Sequence, residues 1–584
     1  MAIVGIDLGT TNSLVAAFID GKSTLIPNSH GELLTPSVVG LTEDGQIIVG
    51  KSAKERLITH PTLTASLFKR HMGTDHKIKL GKKEFLPEEL SSLVLRQLLE
   101  DAANFLDEPV TEAVISVPAY FNANQRAATK IAGTLSGVTV ERLVNEPSAA
   151  ALACRNWDKD ETFIVFDFGG GTLDVSVVEA FDNLVNICSI SGNNALGGTD
   201  FDQAIVTAVC EAYGLNEAKL PKQDYNILLK AAENAKVELQ NNDESTVTAT
   251  IQNKKIAFPL NGSKLYHLSQ DIFDRIKNPI RAAVQGSGLE VSDIDKCILV
   301  GGSCHMPIVQ EYLNSLLRVP VTDSDDLDRI VALGLGTYVG IKQREGSVKD
   351  LVLTDICPFS LNIGVHNEAD PTKTLSHTMI ARNTALPTSR TEPFFTIQPG
   401  QTEIGCPISQ GEGMYSDTNT QLGKVTIKVP YNKTANEQIN VTFTYDINAI
   451  LAVQAESVST GAKEQLILTG KNAFVSDAQI EKYVESIQRL KLAHHERIDF
   501  LLEKAKRIYE EADEYQKHHM KEIVIALENL RKGGSMRKAH KALDEIDTHL
   551  SDIDKNMGGD DIFNNKPAFL RLIKGGVDDG DLDE

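Results

Sequence analysis

The sequence predicts an α/β domain, followed by an antiparallel β domain and a helical C-terminal region. Three observations predict this order. Short β-rich runs alternate with helical stretches over roughly the first 345 of the 584 residues, a pattern typical of α/β layers. Apolar and polar residues then alternate with period two, which indicates antiparallel strands. From about residue 476 the apolar residues recur at helical spacing.

We assign five segments from these changes in pattern. The length alone is enough for several domains. The segments are an α/β domain (1–345), a linker (346–354), a β domain (355–475), a helical segment (476–556) and an acidic tail that we expect to be disordered (557–584).

Charge and hydropathy narrow the class of protein. The net charge is −22, from 58 basic and 80 acidic residues, so nucleic acid is not expected as the main ligand, because phosphate binding needs a concentrated basic face. No apolar run reaches the ~20 residues that a membrane span needs. The N-terminus has neither a basic segment nor a small-residue cleavage site, so we expect a cytoplasmic protein without a membrane partner.

The seven cysteines are scattered along the chain and form no C-x-x-C pair. An odd, dispersed set argues against a disulfide framework and against a zinc site, and is typical of a reducing compartment.

In the α/β domain, several apolar runs are short enough to be buried strands, and amphipathic runs between them predict helices. The predicted strands are Ala2–Ile6, Ala113–Val117, Phe163–Phe166 and Ile298–Val300, and the predicted helices are Leu90–Leu106 and Asn124–Leu135.

The β domain follows a short apolar linker. Leu351, Val352 and Leu353 stand in a row between two aspartates. Such a run is unfavourable in water, at about 25 cal/mol per Å² of apolar surface, so we expect it to dock in a groove or to form the first strand of the β domain. Later strands are predicted at Ser360–His366, Val425–Val429 and Val441–Tyr445.

The C-terminal segment reads as a series of helices. Ser476-Asp477 is a plausible cap for the first of them. Further helices are predicted over Ile498–Tyr515, Met520–Leu530 and Arg537–Ile553, with a break at Gly533-Gly534.

Two similar segments carry the chemistry. Gly5–Ser13 and Phe166–Asp174 each place an aspartate at the end of an apolar strand, before a Gly-rich turn with threonine. Glycine lets backbone N–H groups crowd against an anion, and carboxylates suit Mg²⁺. Neither segment is a P-loop or a G-x-G-x-x-G fingerprint, and each alone could be a structural turn. Together, and with the Gly pair in Val300–Ser303, they predict two related halves that hold one triphosphate.

Six spaced motifs make the prediction specific. They are GIDLGTTNS (Gly5–Ser13), ISVPAYF (Ile115–Phe121), NEPSAAAL (Asn145–Leu152), DFGGGTLD (Asp167–Asp174), LGGTDFD (Leu196–Asp202) and ILVGGS (Ile298–Ser303). Their order resembles that of the seventy-kilodalton heat-shock chaperones of the DnaK type, over residues 1 to about 490. The resemblance implies an actin-like ATPase domain (ribonuclease H-like and duplicated), a β-sandwich peptide-binding domain and a helical lid.

The implied function is that of an ATP-dependent chaperone, in which ATP binding and hydrolysis control the binding and release of extended apolar peptides. Two alternatives stay open: an actin-like phosphotransferase, and a regulatory protein that holds a single partner with ATP as a slow switch. The implied partners are unfolded or specific client polypeptides and a J-domain co-chaperone; a nucleotide exchange factor is left open. The short lid and the short stretch before Pro87 resemble the HscC-type specialised bacterial branch.

The resemblance also implies a set of ATP-binding residues. Lys69 and Glu146 would stabilise the transition state and orient the attacking water, together with Asp167 and Thr172. Asp7 and Asp167 would hold Mg²⁺ largely through its waters, and K⁺ is a further candidate ion. The nucleotide itself would be bound by Thr10, Thr11, Asn12, Gly170, Gly171, Thr172, Gly197, Gly198, Glu233, Lys236, Gly301, Gly302, Ser303 and Asp328. Val237, Gln240 and His305 depart from the common pattern, which leaves nucleotide affinity and exchange rate open.

In the β domain the implied peptide channel is lined by Ile363, Val365, Phe394, Ile404 and Cys406, although each of these could equally be core. Cys406 and His366 depart from the usual apolar residues, so client preference is expected to be narrow or altered. The residues implied in coupling the two domains, or in docking a J-domain, are Pro118, Arg126, Arg142, Asn145, Leu351, Val352, Leu353 and Asp355.

Overall fold

The structure is a computed structural model, and most of the chain is described by it. The described residues are 1–156, 159–252, 254–322, 326–434, 437–447, 450–468, 484, 487, 489–493, 497–512, 514–532 and 536–555. The predicted cap at Ser476-Asp477, the break at Gly533-Gly534 and the acidic tail lie outside them.

The first half of the α/β region contains eleven strands and four helices. The strands are β1 (Ala2–Asp7), β2 (Asn12–Ile19), β3 (Lys22–Ile26), β4 (Thr35–Pro36), β5 (Val39–Leu41), β6 (Ile47–Val49), β7 (Thr64–Ala65), β8 (Ile78–Leu80), β9 (Lys83–Phe85), β10 (Val110–Val117) and β11 (Thr139–Asn145). The helices are α1 (Lys51–Thr59), α2 (Pro87–Leu106), α3 (Ala123–Ser136) and α4 (Glu146–Cys154).

Over its described residues, the second half contains seven strands and six α-helices. The strands are β12 (Glu161–Phe168), β13 (Leu173–Phe181), β14 (Leu184–Asn193), β15 (Glu244–Ile251), β16 (Lys254–Asn261), β17 (Lys296–Val300) and β18 (Val321–Thr322). The helices are α5 (Gly198–Tyr213), α6 (Lys222–Glu238), α7 (Gly262–Leu268), α8 (Gln270–Ser287), α9 (Pro307–Leu317) and α10 (Ile330–Lys342).

The two halves share one strand arrangement. In the first, the order is β11-β10-β1-β2-β3, and in the second it is β18-β17-β12-β13-β14. In each, the strand that ends in the motif aspartate pairs antiparallel with the next strand and parallel with a later one. The predicted duplication is therefore visible in the topology, and it brings both Gly-rich turns to the carboxyl ends of parallel strands, where ligands bind in open α/β sheets.

The β domain consists of two four-stranded sheets with alternating burial, an arrangement that fits a β-sandwich. One sheet has the order β21-β20-β23-β24 and the other β22-β25-β26-β27. The strands are β20 (Leu361–His366), β21 (Thr374–Ile380), β22 (Thr388–Phe395), β23 (Glu403–Gln410), β24 (Thr420–Lys428), β25 (Gln438–Tyr445), β26 (Leu451–Ser457) and β27 (Lys463–Leu468).

The linker forms a strand, β19 (Val352–Thr354), at the edge of the second half's sheet. It pairs in parallel with β14, with Leu353 opposite Val185. Leu351 is buried, Leu353 packs against the second half's core, and Val352 is exposed. The apolar run is thus attached to the α/β region rather than to the β domain.

The C-terminal helices are α11 (Arg497–Glu511), α12 (Glu514–Lys532) and α13 (Met536–Lys555). The helix predicted over Ile498–Tyr515 is wrong at its C-terminal end, since α11 ends at Glu511 and α12 begins at Glu514. No glycine or proline marks this break in the sequence. The three helices enclose an apolar core of their own, and α11 packs against α1.

In the described part of the chain, no helix is long and apolar enough to cross a membrane.

The halves are held together by α10, which belongs to the second half but packs on β1–β3 of the first and on α4. At the crossing with α4, a Cβ atom on Gly334 would lie 1.8 Å from the carbonyl oxygen of Ala149. Only glycine permits so close an approach.

We predict that Gly334→Ala lowers the free energy of unfolding by about 1–3 kcal/mol, because the added methyl group must push two helices apart. The comparison is urea unfolding followed by circular dichroism. Gly346→Ala is the control, since a Cβ atom there meets nothing within 4 Å. Equal midpoints for the two variants would contradict the close packing.

Candidate nucleotide-binding site

A cavity of about 400 Å³ lies between the two halves, within the range of ligand pockets in proteins. Residues from both Gly-rich turns line it, as do residues from α6 and from the turn after β17. Of the nucleotide-binding, metal and catalytic residues predicted from the sequence, Gly171 and Gly197 are not in its lining. The lining includes Asp7, Thr10, Thr11, Asn12, Lys69, Glu146, Asp167, Gly170, Thr172, Gly198, Glu233, Lys236, Gly301, Gly302, Ser303 and Asp328.

Buried carboxylates dominate the floor of this cavity. Burial and the nearby charge of Glu146 raise the pKa of Asp7 to about 7. Burial, followed by Glu146 and the other aspartates, raises the pKa of Asp167 well above its usual range. Burial and Glu146 also raise the pKa of Asp174 to about 7, although the backbone N–H groups of Ala119 and Tyr120 donate to it. These groups repel one another, so a cation between them would be stabilised.

Lys69 supplies positive charge at this floor. It lies in a short turn, is 3% exposed, and its Nζ donates to Oε1 of Glu146 at 2.9 Å. The same Nζ lies 5.6 Å from the centroid of the Phe121 ring. A lysine so deeply buried is held by its partners. This geometry fits the predicted catalytic role better than it fits the alternative of a solvated surface lysine.

The two Gly-rich turns touch each other. A Cβ atom on Gly170 would lie 1.9 Å from Oγ1 of Thr11, and that buried hydroxyl has no hydrogen-bond partner among the described residues. A buried unpaired hydroxyl is unfavourable, and an anion between the turns would accept from it. Gly171 and Gly197 lie behind the turn, where a Cβ atom on Gly197 would come within 2.3 Å of the Gly171 nitrogen.

The other end of the cavity is built on α6. Lys236 pairs with Asp202 at 2.6 Å and donates to the carbonyl of Gly198 at 3.0 Å. Glu233, one turn away, pairs loosely with Lys54 of the first half at 3.7 Å. Val237 and Gln240, the residues that depart from the common pattern, also line the cavity.

The turn after β17 closes the cavity. Ser303 Oγ donates to the carbonyl of Gly169 at 2.8 Å, so this turn is fixed to the second Gly-rich turn. His305 lies 3.2 Å from Asp328, and both side chains line the cavity.

The comparison with protein families decides the identity. A family model described as Hsp70 protein matches residues 3–568, nearly the whole chain. The chain belongs to the Hsp70 family. Membership supports an ATP-dependent chaperone function in general, with ATP and Mg²⁺ as the usual ligands and with unfolded polypeptides and J-domain proteins as the usual partners.

The acidic floor of this Hsp70 protein fits a divalent cation, because several buried carboxylates there carry raised pKa values. Among the described residues, no three metal-ligating side chains converge closely enough for direct coordination.

Three of the residues predicted to couple the domains form one buried chain. Arg126 donates to Asn145 Oδ1 at 2.6 Å, and Asn145 Nδ2 lies 2.7 Å from both oxygens of Asp355, just after the linker. Arg126 also donates to the carbonyls of Ala119 and Phe121. Pro118 is buried at the start of that turn. Arg142 lies elsewhere, on the ring and hydroxyl of Tyr338 in α10.

The β domain of this Hsp70 protein contacts both halves. Gln410 accepts from the Ala123 backbone N–H at 2.9 Å on the first half. Arg382 donates to the Ile190 carbonyl at 2.9 Å on the second half.

The five residues predicted to bind peptide divide into two groups. Ile363, Ile404 and Cys406 are buried in the β-domain core, whereas Val365 and Phe394 pack at its edge. The choice between core and channel lining, which the sequence left open for all five residues, therefore stays open for Ile363, Ile404 and Cys406.

Sequence reasoning missed several residues that support the site. They are Ser116, which donates to Asp7 at 2.7 Å; Arg70, which donates to Asp200 at 2.6 Å and to the Gly171 carbonyl; Asp202, the partner of Lys236; and Asp174. Ser116, Asp174 and Asp202 lie inside motifs that the sequence analysis singled out, and Arg70 directly follows Lys69. This position was a signal for a role at the site, although it did not identify the partner of each residue.

We predict that Asp7→Asn stabilises the nucleotide-free protein by about 1–3 kcal/mol at pH 8 and has little effect below pH 4. The folded state raises the pKa of Asp7 from 3.8 to about 7, so it binds a proton that the unfolded state releases. The contribution of Asp7 to stability therefore falls as pH rises from about 4 to 7, and asparagine removes that loss.

The measurement is urea unfolding of the two proteins between pH 5 and 8. Asp274→Asn, on the exposed face of α8, is the control. An unchanged pH dependence in Asp7→Asn would mean that the buried carboxylates carry no such penalty.

Proposed function

We propose that this protein is an ATPase chaperone, in which hydrolysis of ATP to ADP and phosphate between the two halves controls the grip of the β domain on extended apolar peptide segments. One observation carries the proposal. The buried Lys69–Glu146 pair at the nucleotide cavity lies directly beside Asn145, which is bonded to Asp355 at the start of the β domain. The residue that contacts the β domain, Asn145, thus directly precedes the proposed catalytic residue Glu146.

The chemistry follows from the charges around the cavity. Thr10, Thr11 and the Gly170 turn would bind the phosphates with hydroxyl and backbone N–H donors. Asp7 and Asp167 would hold Mg²⁺ through its waters, and the ion would neutralise charge that develops on the transferred phosphoryl group. Lys69 would stabilise the same charge from the protein side, in a site that excludes bulk water.

Glu146 would orient the attacking water. It already accepts a hydrogen bond from Lys69, so its carboxylate is fixed in direction before ligand arrives. Asp167 and Thr172, which flank the second turn, would complete the water and phosphate contacts. Gly198, Glu233, Lys236, Gly301, Gly302, Ser303 and Asp328 would enclose the adenosine side, whereas Gly171 and Gly197 would support the second turn from behind.

The linker supports a two-state coupling between the domains. In the arrangement described, β19 extends the second half's sheet and buries Leu351. The strand pairing that holds it there is short, so we propose that a modest change in free energy at the nucleotide site would release it. We propose that docking accompanies ATP and that release accompanies ADP, with Pro118, Arg126, Asn145 and Asp355 carrying the change.

The peptide site would lie in the β domain, at the edge formed by Val365 and Phe394 above the buried Ile363, Ile404 and Cys406. His377 lies against Phe394 with ring centroids 5.7 Å apart and pairs with Glu392 at 2.6 Å. This polar surround, together with Cys406 and His366, favours a narrow set of clients. We further propose that the protein is cytoplasmic and that a J-domain partner contacts Arg142 and the linker. The proposal also includes a shortened lid, membership of the HscC-like branch and the segment boundaries given above.

We predict that Lys69→Ala slows single-turnover ATP hydrolysis by about 100-fold or more, because in the proposed mechanism the buried ammonium stabilises the charge that develops on the γ-phosphate. Acid-quench with radiolabelled ATP measures the rate. Lys79→Ala is the matched control: its side chain is 74% exposed and pairs with Glu84 at the surface. A variant rate equal to wild type would remove Lys69 from the catalytic role.

We predict that Asp355→Asn hydrolyses ATP within about threefold of wild type but loses most of the ATP-triggered release of a fluorescent apolar peptide. Asparagine cannot accept from Asn145 with both of its side-chain atoms, so the buried chain of hydrogen bonds is broken on one side. Asp350→Asn, in the exposed turn of the linker that precedes β19, serves as the control. Normal ATP-triggered release from Asp355→Asn would show that the signal takes another route.

A further inference from the structure

The C-terminal bundle, α11–α13, lies across the outer ends of both halves. On the first half, Arg507 of α11 donates to Glu55 of α1, and Glu503 of α11 pairs with Arg56 at 3.4 Å. The chain leading into the bundle joins the same half: the backbone N–H groups of Ile47 and Ala493 donate to the carbonyls of Lys491 and Ile47, at 2.9 and 2.7 Å.

The same bundle contacts α6 of the second half. Lys230 of α6 pairs with Glu511 at 3.2 Å and with Asp554 at 3.0 Å. Gln223, two turns earlier on α6, donates to Glu510 at 3.1 Å. The bundle therefore connects α1 of the first half to α6 of the second.

One side chain joins the two sets of contacts. Arg507 is 3% exposed and pairs with Glu511 at 2.8 Å and with Asp554 at 2.6 Å, besides Glu55. Glu511 and Asp554 are the two acids that hold Lys230. Burial would raise the pKa of Asp554, but Arg507 and Lys230 outweigh it and hold that pKa well below its usual range. A continuous series of charge pairs thus runs from α1 through the bundle to α6.

Helix α6 is also a wall of the nucleotide cavity. Glu233 and Val237 line that cavity, one and two turns beyond Lys230, so Lys230 is close to them along the helix. Separation of the halves would open a route by which a nucleotide held between them leaves. The outer ends also touch directly, since α1 packs on α6, Asn226 Nδ2 donates to the Leu57 carbonyl at 2.5 Å, Lys222 donates to the Pro61 carbonyl, and the exposed Lys54–Glu233 pair is 3.7 Å apart.

We propose that the C-terminal bundle acts as a strap that holds the nucleotide cleft closed, and that its docking sets the rate of nucleotide release. This inference rests on the proposed ATPase function. It assigns the bundle a role at the nucleotide cleft that is separate from any covering of the peptide site. Because linkage is reciprocal, bound nucleotide stabilises docking of the bundle, and whatever draws the bundle away speeds nucleotide exchange.

The test uses the full chain loaded with N-methylanthraniloyl-ADP and Mg²⁺ and chased with excess ATP in a stopped-flow fluorimeter. Lys230→Met weakens the bundle's hold on the second half, and Glu55→Gln weakens its hold on the first. Neither residue lines the nucleotide cavity. Each variant is expected to release the labelled nucleotide about three- to tenfold faster, since partly buried charge pairs contribute more than fully exposed ones.

The double variant distinguishes a strap from two local effects. A strap is opened by loss of either end, so the double variant should release nucleotide at about the rate of the faster single variant. Independent effects on α1 and α6 would instead multiply. Lys277→Met, on an exposed face of α8 in the same half, removes the same charge and should leave the rate unchanged.

Four results would overturn the strap: unchanged release in both single variants, acceleration in only one of them, a double variant whose effect is the product of the two, or equal acceleration by Lys277→Met. These are distinguishable from failure of the proposed function itself. If the unaltered chain binds no labelled nucleotide, the ATPase proposal fails and the strap fails with it. If it binds and hydrolyses ATP normally, any of the four results removes the strap alone.

Discussion

The arrangement of the α/β region depends on one electrostatic constraint, the burial of several carboxylates at the junction of two sheets. Asp7 is the last residue of β1 and Asp167 is the second-last residue of the equivalent strand β12, so the duplication that builds the cleft also forces like charges together. Lys69 compensates part of that charge through Glu146. A cation would stabilise the negative charge that Lys69 leaves uncompensated on the floor of the cleft. The Gly-rich turns above the floor present hydrogen-bond donors instead. Ligand-binding sites commonly carry strain of this kind, which the rest of the fold must support.

The support comes from close helix packing behind the floor. Helix α4 begins at Glu146, directly after Asn145, and α10 packs against it at Gly334. A packed helix of this kind moves as a unit, because protein interiors are too dense to deform continuously. Under the proposed coupling, a shift of Glu146 toward a ligand would reach Asn145 and, through its hydrogen bonds, the carboxylate of Asp355, whereas Arg142 lies outside this chain of contacts. The geometry gives the two domains a short, rigid connection.

Much of the fold could be predicted from the sequence, because burial patterns with period two or 3.6 mark strands and helices directly. The strand predicted over Ala113–Val117 is found within β10, and the helix predicted over Leu90–Leu106 is found as α2. The break between α11 and α12 was not predicted, since no glycine or proline marks it. The docking of the bundle on α1 and α6 could not have been read from the sequence either, because charged helical faces such as those of Arg507 and Lys230 look solvated until their partners are known.

The nucleotide site was predicted more completely than its supporting shell. Glycine-rich turns have a local signature, and most of the residues named from them line one cavity. The partners that hold them, such as Ser116 for Asp7 and Arg70 for Asp200, come from distant segments. Their roles depend on tertiary contacts, and single-sequence patterns carry no information about which distant residue meets which.

The pairing of β19 with β14 has one further consequence. While the linker is docked, it covers the outer backbone of Leu184–Asn186. When it leaves, β14 becomes an open edge strand, and its N–H and C=O groups are then available to any extended chain nearby. The exposed length is short, which limits the hazard of sheet-to-sheet aggregation. Each cycle of linker release and docking would nevertheless expose, and then cover again, a short unpaired strand edge on a protein of a chaperone family.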